Sequence, residues 1–176
     1  MDLRKFDSCW FAVQVKAKCE YMAATILRNK GYEEYTPTVP AKNFLGRDYA
    51  VSGPVERPLY PGYIFCRFNA NLRGPIVTTP GVIRVVGTHT QPIPITDEEM
   101  ANVRLATSVG LPACPVPYMC AGTRIVITGG PLLGVQGLFV RKNKSNRLIV
   151  SIDLIQRSVA VEIDSSWVGS LNQAVA

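Results

Sequence analysis

The chain has 176 residues, 47% of them apolar and 18% charged, with a formal net charge of +6. That balance excludes intrinsic disorder and calls for a packed core, in one ordinary domain or two small ones. No apolar run reaches the roughly 18 residues of a membrane helix, and "MDLRKFDSCW" at the start has no apolar signal-peptide core, so a cytoplasmic protein with no membrane partner is expected.

Cys9 to Val15, "CWFAVQV", reads as a short apolar strand, and "KAK" turns it, leaving Lys16 and Lys18 at its exit. Cys19 to Lys30 has apolar residues at Tyr21, Met22 and Ile26 on helical spacing, with Gly31 as the stop. Tyr32 to Val39 is expected to be a strand ended by Pro40, and Lys42 to Val55 a polar hairpin or loop. Leu59 to Phe68, "LYPGYIFCRF", is the most aromatic strand candidate, yet Pro61 and Gly62 interrupt it. A Pro-Gly break would let such a strand bend and turn its rings toward one concave surface. A basic loop through Arg73 follows, then a strand over Gly81 to Gly87 and an extended "HTQPIPI".

Thr96 and Glu99 form a capping box, and their helix should run to about Thr107. The prolines of "SVGLPACPVPYMC" suggest a linker. Beyond it only short apolar runs appear: "RIVIT", "QGLFVR", "RLIVSIDL" and "SVAVEI". Several short strands in so few residues suggest a small β-barrel. The expected class is α+β: a mixed α/β domain over 8–107, a linker over 108–119 and a β-barrel over 120–173.

Five cysteines, Cys9, Cys19, Cys66, Cys114 and Cys120, form no CxxC pair and point to reduced thiols. His89 is the single histidine, which argues against a metal site or a histidine-based catalytic dyad, and no metal or cofactor is expected. The carboxylates of Asp97, Glu98 and Glu99 are consecutive on a helix and face different ways, so they cap rather than catalyse. No phosphate-cradling GxxxxGK and no GxSxG is present, and the chain is not expected to be an enzyme. The positive charge fits an anionic partner such as nucleic acid, or simply a solvated surface.

"VITGGPLLGVQGLFVRKNKSNRLIV", Val126 to Val150, sets Gly129, Gly134 and Gly137 at turns or points of close backbone approach. Its spacing, a glycine between a hydrophobic hairpin start and its continuation, resembles the KOW motif. "WFAVQVKAKCE", "LYPGYIFCRF", "TTPGVIRVVG" and "PIPITDEEM" occur in the order of the NusG N-terminal domain. Residues 8 to 173 thus resemble NusG-family transcription elongation factors, and "RLIVSIDLIQRSVAVEID" resembles the specialised paralogues of the UpxY, LoaP and RfaH types. The resemblance implies a monomeric antitermination factor for a long operon of polysaccharide or secondary-metabolite genes. It implies that Tyr60, Pro61, Tyr63 and Phe65, with Phe11 and Val13, form a surface for the β′ clamp helices of RNA polymerase. Tyr60 and Tyr63 are expected to face outward, although strand alternation assigns about half of these residues to the core. Lys16, Lys18, Arg73 and Arg84 would contact non-template DNA or nascent RNA, and Thr78 and Thr79 align poorly with the family's further polymerase contact. Leu132, Leu133 and Val135 would meet a ribosomal protein, a termination factor or RNA. A ribosome-associated or RNA-binding KOW protein is the alternative.

Overall fold

The structure, a computed structural model, describes residues 8–40, 56–88, 90–118, 122–142 and 145–170. The loop expected over 42–55, His89, Cys120 and Lys144 lie outside them. The chain divides into two compact units, which among the described residues are 8–37 with 58–100, and 38–40 and 56–57 with 101–170. This division differs from the expected domain over 8–107 at residues 38–40 and 56–57 and in the C-terminal limit. The second boundary falls inside one continuous helix, where no change of sequence pattern marks it.

In the first unit, β1 (Ser8–Val15) leads to α1 (Glu20–Asn29) and β2 (Glu33–Tyr35). The expected strand over Tyr32–Val39 is two short pieces, because β3 (Thr38–Pro40) pairs instead with β4 (Glu56–Pro58). β5 (Tyr63–Asn69) and β6 (Val82–Val85) complete a four-stranded sheet of order β2-β5-β1-β6. The expected basic loop holds a short helix, α2 (Gly74–Val77), and the capping-box helix is α3 (Asp97–Ser108).

β1 is a central strand with Trp10, Phe11, Ala12 and Val13 all buried. Burial on both faces explains why its sequence is continuously apolar rather than alternating. Cross-strand register sorts the two faces: Phe11 lies opposite Cys66 and Val13 opposite Ile64, while Ala12 lies opposite Phe65 and Gln14 opposite Tyr63. The first set packs with Ala23, Ala24 and Leu27 of α1 into one apolar cluster. The helix therefore turns its Glu20, Ala23, Ala24, Leu27 stripe inward and leaves Tyr21 and Met22 exposed. Two of the bulky residues that suggested amphipathicity thus face solvent and Ile26 is half-buried, while small alanines line the face that approaches the sheet.

The capping box forms reciprocally: the Glu99 N–H donates to Thr96 Oγ1 at 3.1 Å, and the Thr96 N–H to Glu99 Oε2 at 3.1 Å.

The second unit is β-rich. β7 (Ala113–Pro117), β8 (Thr123–Ile127), β9 (Gln136–Lys142), β10 (Ser145–Ile152), β11 (Arg157–Ile163) and β12 (Val168–Ser170) form a ladder of order β12-β8-β9-β10-β11-β7. β7 is a correction to the linker expected over 108–119. Its residues pair with β11, Pro115 opposite Val159 and Pro117 opposite Arg157. Proline lacks the N–H that an interior strand must donate, but at the end of a ladder that loss is tolerated. The KOW-type glycine has a steric reason. A Cβ on Gly137 would overlap the Ile149 carbonyl oxygen and approach Leu148 Cδ1 to 2.9 Å, so β9 meets β10 only without a side chain there.

Candidate functional site

The Pro-Gly pair does not interrupt β5; it precedes it. The Tyr63 N–H donates to the Tyr60 carbonyl at 3.0 Å, and Gly62 has φ +81°. Proline second and a positive-φ glycine third are the signature of a type II turn. Two contacts hold this turn against the neighbouring elements. The Val15 N–H donates to the Gly62 carbonyl at 2.9 Å, and the Gly62 N–H donates to Glu20 Oε1 at 2.8 Å. Glu20, buried at the start of α1, is the one acidic side chain engaged there, and sequence reasoning passed over it. Its signal, an acid in a first helical turn, could not reveal a partner 42 residues away.

The turn decides which rings are presented. Tyr60 is 1% exposed, not outward-facing as expected, and packs edge-on against Phe65 with centroids 5.8 Å apart. Its hydroxyl is buried and finds no hydrogen-bond partner among the described residues. Burial, then the neighbouring Tyr35, pushes the phenol well above its usual range. Phe65 is fully buried. Phe11 and Val13 are also buried, and they lie on the α1 face of the sheet, with the Phe11 and Phe68 rings 4.6 Å apart. The expected six-residue surface is therefore corrected. Alternation puts Phe11 and Val13 on the opposite face from Tyr63 and Phe65, and only Pro61, exposed, and Tyr63, half-buried, reach solvent.

Lys16, Lys18, Arg73 and Arg84 are all exposed. Lys18 adopts φ +66°, in the left-handed region. It lines a shallow, mostly apolar groove of about 540 Å³ with Val15, Glu20, Tyr21, Pro61 and Gly62. The cation and the Pro-Gly turn, expected to serve different partners, thus border one groove. A second groove of about 600 Å³ brings together Arg73, just before α2, and Arg84 of β6. The doubtful threonines are structural. Thr79 is buried and accepts from Lys30 Nζ at 2.8 Å, and Thr78 Oγ1 donates to the Gly74 carbonyl at 3.0 Å.

In the second unit Leu132 and Val135 are buried, so neither is presented to a partner. Leu133 is 64% exposed. It has φ −49° and ψ 127°, Gly134 has φ +87°, and the Val135 N–H returns to the Leu132 carbonyl at 3.0 Å. This second type II turn fixes the two ends inward and pushes Leu133 out. Among the described residues, Cys9, Cys19, Cys66 and Cys114 are free, and no cluster of histidine, cysteine or carboxylate side chains could hold a metal. No helix of the described residues is long and apolar enough to cross a membrane.

Residues 8–104 match the family model described as "Transcription termination factor nusG". The chain is 31% identical over 137 residues to the transcription termination/antitermination protein NusG of Deinococcus radiodurans, covering 65% of this chain and 69% of that protein. It is 27% identical over 165 residues to the protein of the same name from Campylobacter jejuni, covering 88% and 92%. The solved structure described as "Domain interaction in Thermotoga maritima NusG" superposes with a TM-score of 0.52 at 18% identity, covering 93% of this chain and 97% of that one, a likeness of fold. On the match over 8–104 and the relatives that cover most of its length, the chain belongs to the NusG family.

Proposed function

We propose that this protein is a transcription elongation and antitermination factor that performs no chemistry of its own and binds RNA polymerase at the β′ clamp helices through its first unit. The observation that carries the reading is the family match over 8–104, which spans the turn where Pro61 and Tyr63 are presented. A half-exposed tyrosine on a rigid turn suits an interface anchor, because its ring has little entropy to lose. Tyr60 and Phe65 act from beneath, as the packed support of that turn. By holding one clamp position, the factor shifts the polymerase equilibrium only by its differential affinity for the closed form.

Lys16 and Lys18 contribute phosphate contacts to non-template DNA or nascent RNA, as do Arg73 and Arg84. Leu133 is the contact of the second unit with a ribosomal protein or termination factor. The protein acts as a cytoplasmic monomer, on a long operon of the kind served by specialised paralogues. The test is co-purification with core RNA polymerase against intact ribosomes. Retention by polymerase, with Tyr63→Ala lowering affinity roughly thirtyfold, supports the reading. Retention by ribosomes alone overturns it in favour of a ribosome-associated KOW protein.

A further inference from the structure

The turn before β5 has two accessible forms, and its glycine does not choose between them. Types I and II share their ends and differ by a flip of the central peptide, here the one joining Pro61 to Gly62. Proline suits the second position of either form, and glycine takes positive or negative φ about equally well. The φ of +81° at Gly62 is that of type II. A Cβ on Gly62 would meet only the Val15 carbonyl oxygen, at 3.7 Å, so the space there does not exclude a side chain.

The choice falls to Glu20. The N–H that turns with the central peptide is that of Gly62, and it donates to Glu20 Oε1 at 2.8 Å. Glu20 is itself buried at the start of α1. A flipped peptide would take that N–H away and aim the Pro61 carbonyl oxygen at the carboxylate, leaving a buried polar group unmatched. The Val15 N–H holds the Gly62 carbonyl at 2.9 Å, so the peptides on both sides of Gly62 are pinned from outside the turn. In a trans peptide the C=O points opposite to the N–H, and no described peptide is cis. The Pro61 carbonyl therefore points away from Glu20, at a corner where Pro61 is exposed. Among the described residues no donor meets it.

We infer that Glu20 is a positioning residue for partner binding: it selects the type II turn and so holds the Pro61 carbonyl outward beside Tyr63, as an acceptor for a donor side chain of the partner. The inference rests on the reading of Pro61 and Tyr63 as the polymerase contact. A helical partner suits this acceptor, because its backbone N–H groups are bonded within the helix and only its side chains are free to donate. An acceptor fixed in advance loses little freedom when the partner arrives.

The experiment measures binding of the full chain to core RNA polymerase for Glu20→Ala, Glu20→Gln, Gly62→Ala, Tyr63→Ala and the double variant Glu20→Ala/Gly62→Ala. Fluorescence anisotropy of the labelled chain separates Kd from the active fraction, and a merely structural role moves only the fraction. Hydrogen exchange follows the Gly62 amide. Glu20→Ala is expected to raise Kd about tenfold and Glu20→Gln, which keeps an acceptor, no more than about twofold. Gly62→Ala disfavours positive φ without touching Glu20 and should match Glu20→Ala. The double variant should stay near tenfold rather than reach about a hundredfold, because both changes release one flip. The Gly62 amide should exchange faster in Glu20→Ala and remain slow in Glu20→Gln. A lower active fraction at unchanged Kd overturns the inference, as does a glutamine variant as weak as the alanine one. A hundredfold loss in the double variant also overturns it, since the two residues then act separately. If Tyr63→Ala weakens binding and Glu20→Ala does not, the positioning role alone fails. If Tyr63→Ala binds like the unaltered chain, the polymerase reading of this turn fails and takes the positioning role with it.

Discussion

Lys18 holds a backbone conformation that a Cβ-bearing residue adopts only at a cost, and the turn around it would be easier with glycine. Lys18→Gly is expected to raise stability by up to about 1 kcal/mol in urea unfolding. It should also flatten the salt dependence of nucleic-acid binding by nearly one phosphate's worth. A gain in stability with an unchanged slope would mean that the lysine is merely solvated. Glu20 makes the opposite kind of contribution, since its buried carboxylate is the partner of the Gly62 N–H. Glu20→Ala should cost about 1–3 kcal/mol by orphaning that donor, and Glu20→Gln, which keeps an acceptor, should cost less. Equal losses for the two variants would show that the turn does not depend on this bond. Lys18 was legible in the sequence as a cation at a strand exit, whereas Glu20 was passed over. The bond from Gly62 could not be read there, because it depends on where the turn at Tyr60–Tyr63 comes to lie, and the positive φ belongs to the tight turn closed by the Cys19 N–H on the Lys16 carbonyl.

At the scale of the element, β5 and the turn before it separate support from contact. Tyr60→Ala should unfold more readily by about 3–5 kcal/mol, as for other large core rings. Tyr60→Phe should instead leave stability equal or higher by about 1 kcal/mol, because it removes a buried hydroxyl that has no partner among the described residues. Tyr63→Ala should melt near the unaltered protein and lose polymerase affinity. A marked loss of stability in Tyr60→Phe would reveal that the hydroxyl is satisfied after all. The aromatic density of "LYPGYIFCRF" was legible; its division into a turn and a strand was not. A Pro-Gly pair is compatible with a bulge or with a turn, and the bond from Tyr63 to Tyr60 decides for the turn.

For the molecule as a whole, two tests address the division into units. A C-terminal piece that begins near Gly110 keeps β7, its ladder with β11 and the Glu162 N–H bond to the Pro112 carbonyl. One that begins after Pro117 loses all of these. We expect the longer piece to give a dispersed NMR spectrum and the shorter one to be markedly less stable, and equal spectra would return β7 to the role of a linker. Alkaline pH probes the first unit. Burial, with Glu34 and Glu33 adding, pushes the Cys66 thiol up to about 12 from an ordinary 9.0. A raised acid resists ionisation in the fold, so its contribution is intact below pH 9 and is lost as pH rises toward 12. Melting temperature should therefore fall above pH 9, and Cys66→Ala, though less stable at neutral pH, should show a shallower fall.

What the sequence determined by itself is local or ordered along the chain. The capping box, the strands β1, β5 and β6 and the two longer helices in their order, the short strands of the second unit after β7 and the family resemblance all follow from neighbouring residues or from motifs in series. Tertiary structure alone decided which face of a strand looks outward, because alternation sorts residues into two sets without naming the inner one. It moved Phe11 and Val13 away from Tyr63, buried Leu132 and Val135 beside an exposed Leu133, and drew Ala113–Pro117 from a linker into a ladder. It also set Arg73 beside Arg84 along one groove. The strand outcomes are long-range pairings, whose partner's position is not encoded in the segment that it pairs with, and the local turn at Leu132–Val135 settles its own inner and outer residues only once the fold packs its ends.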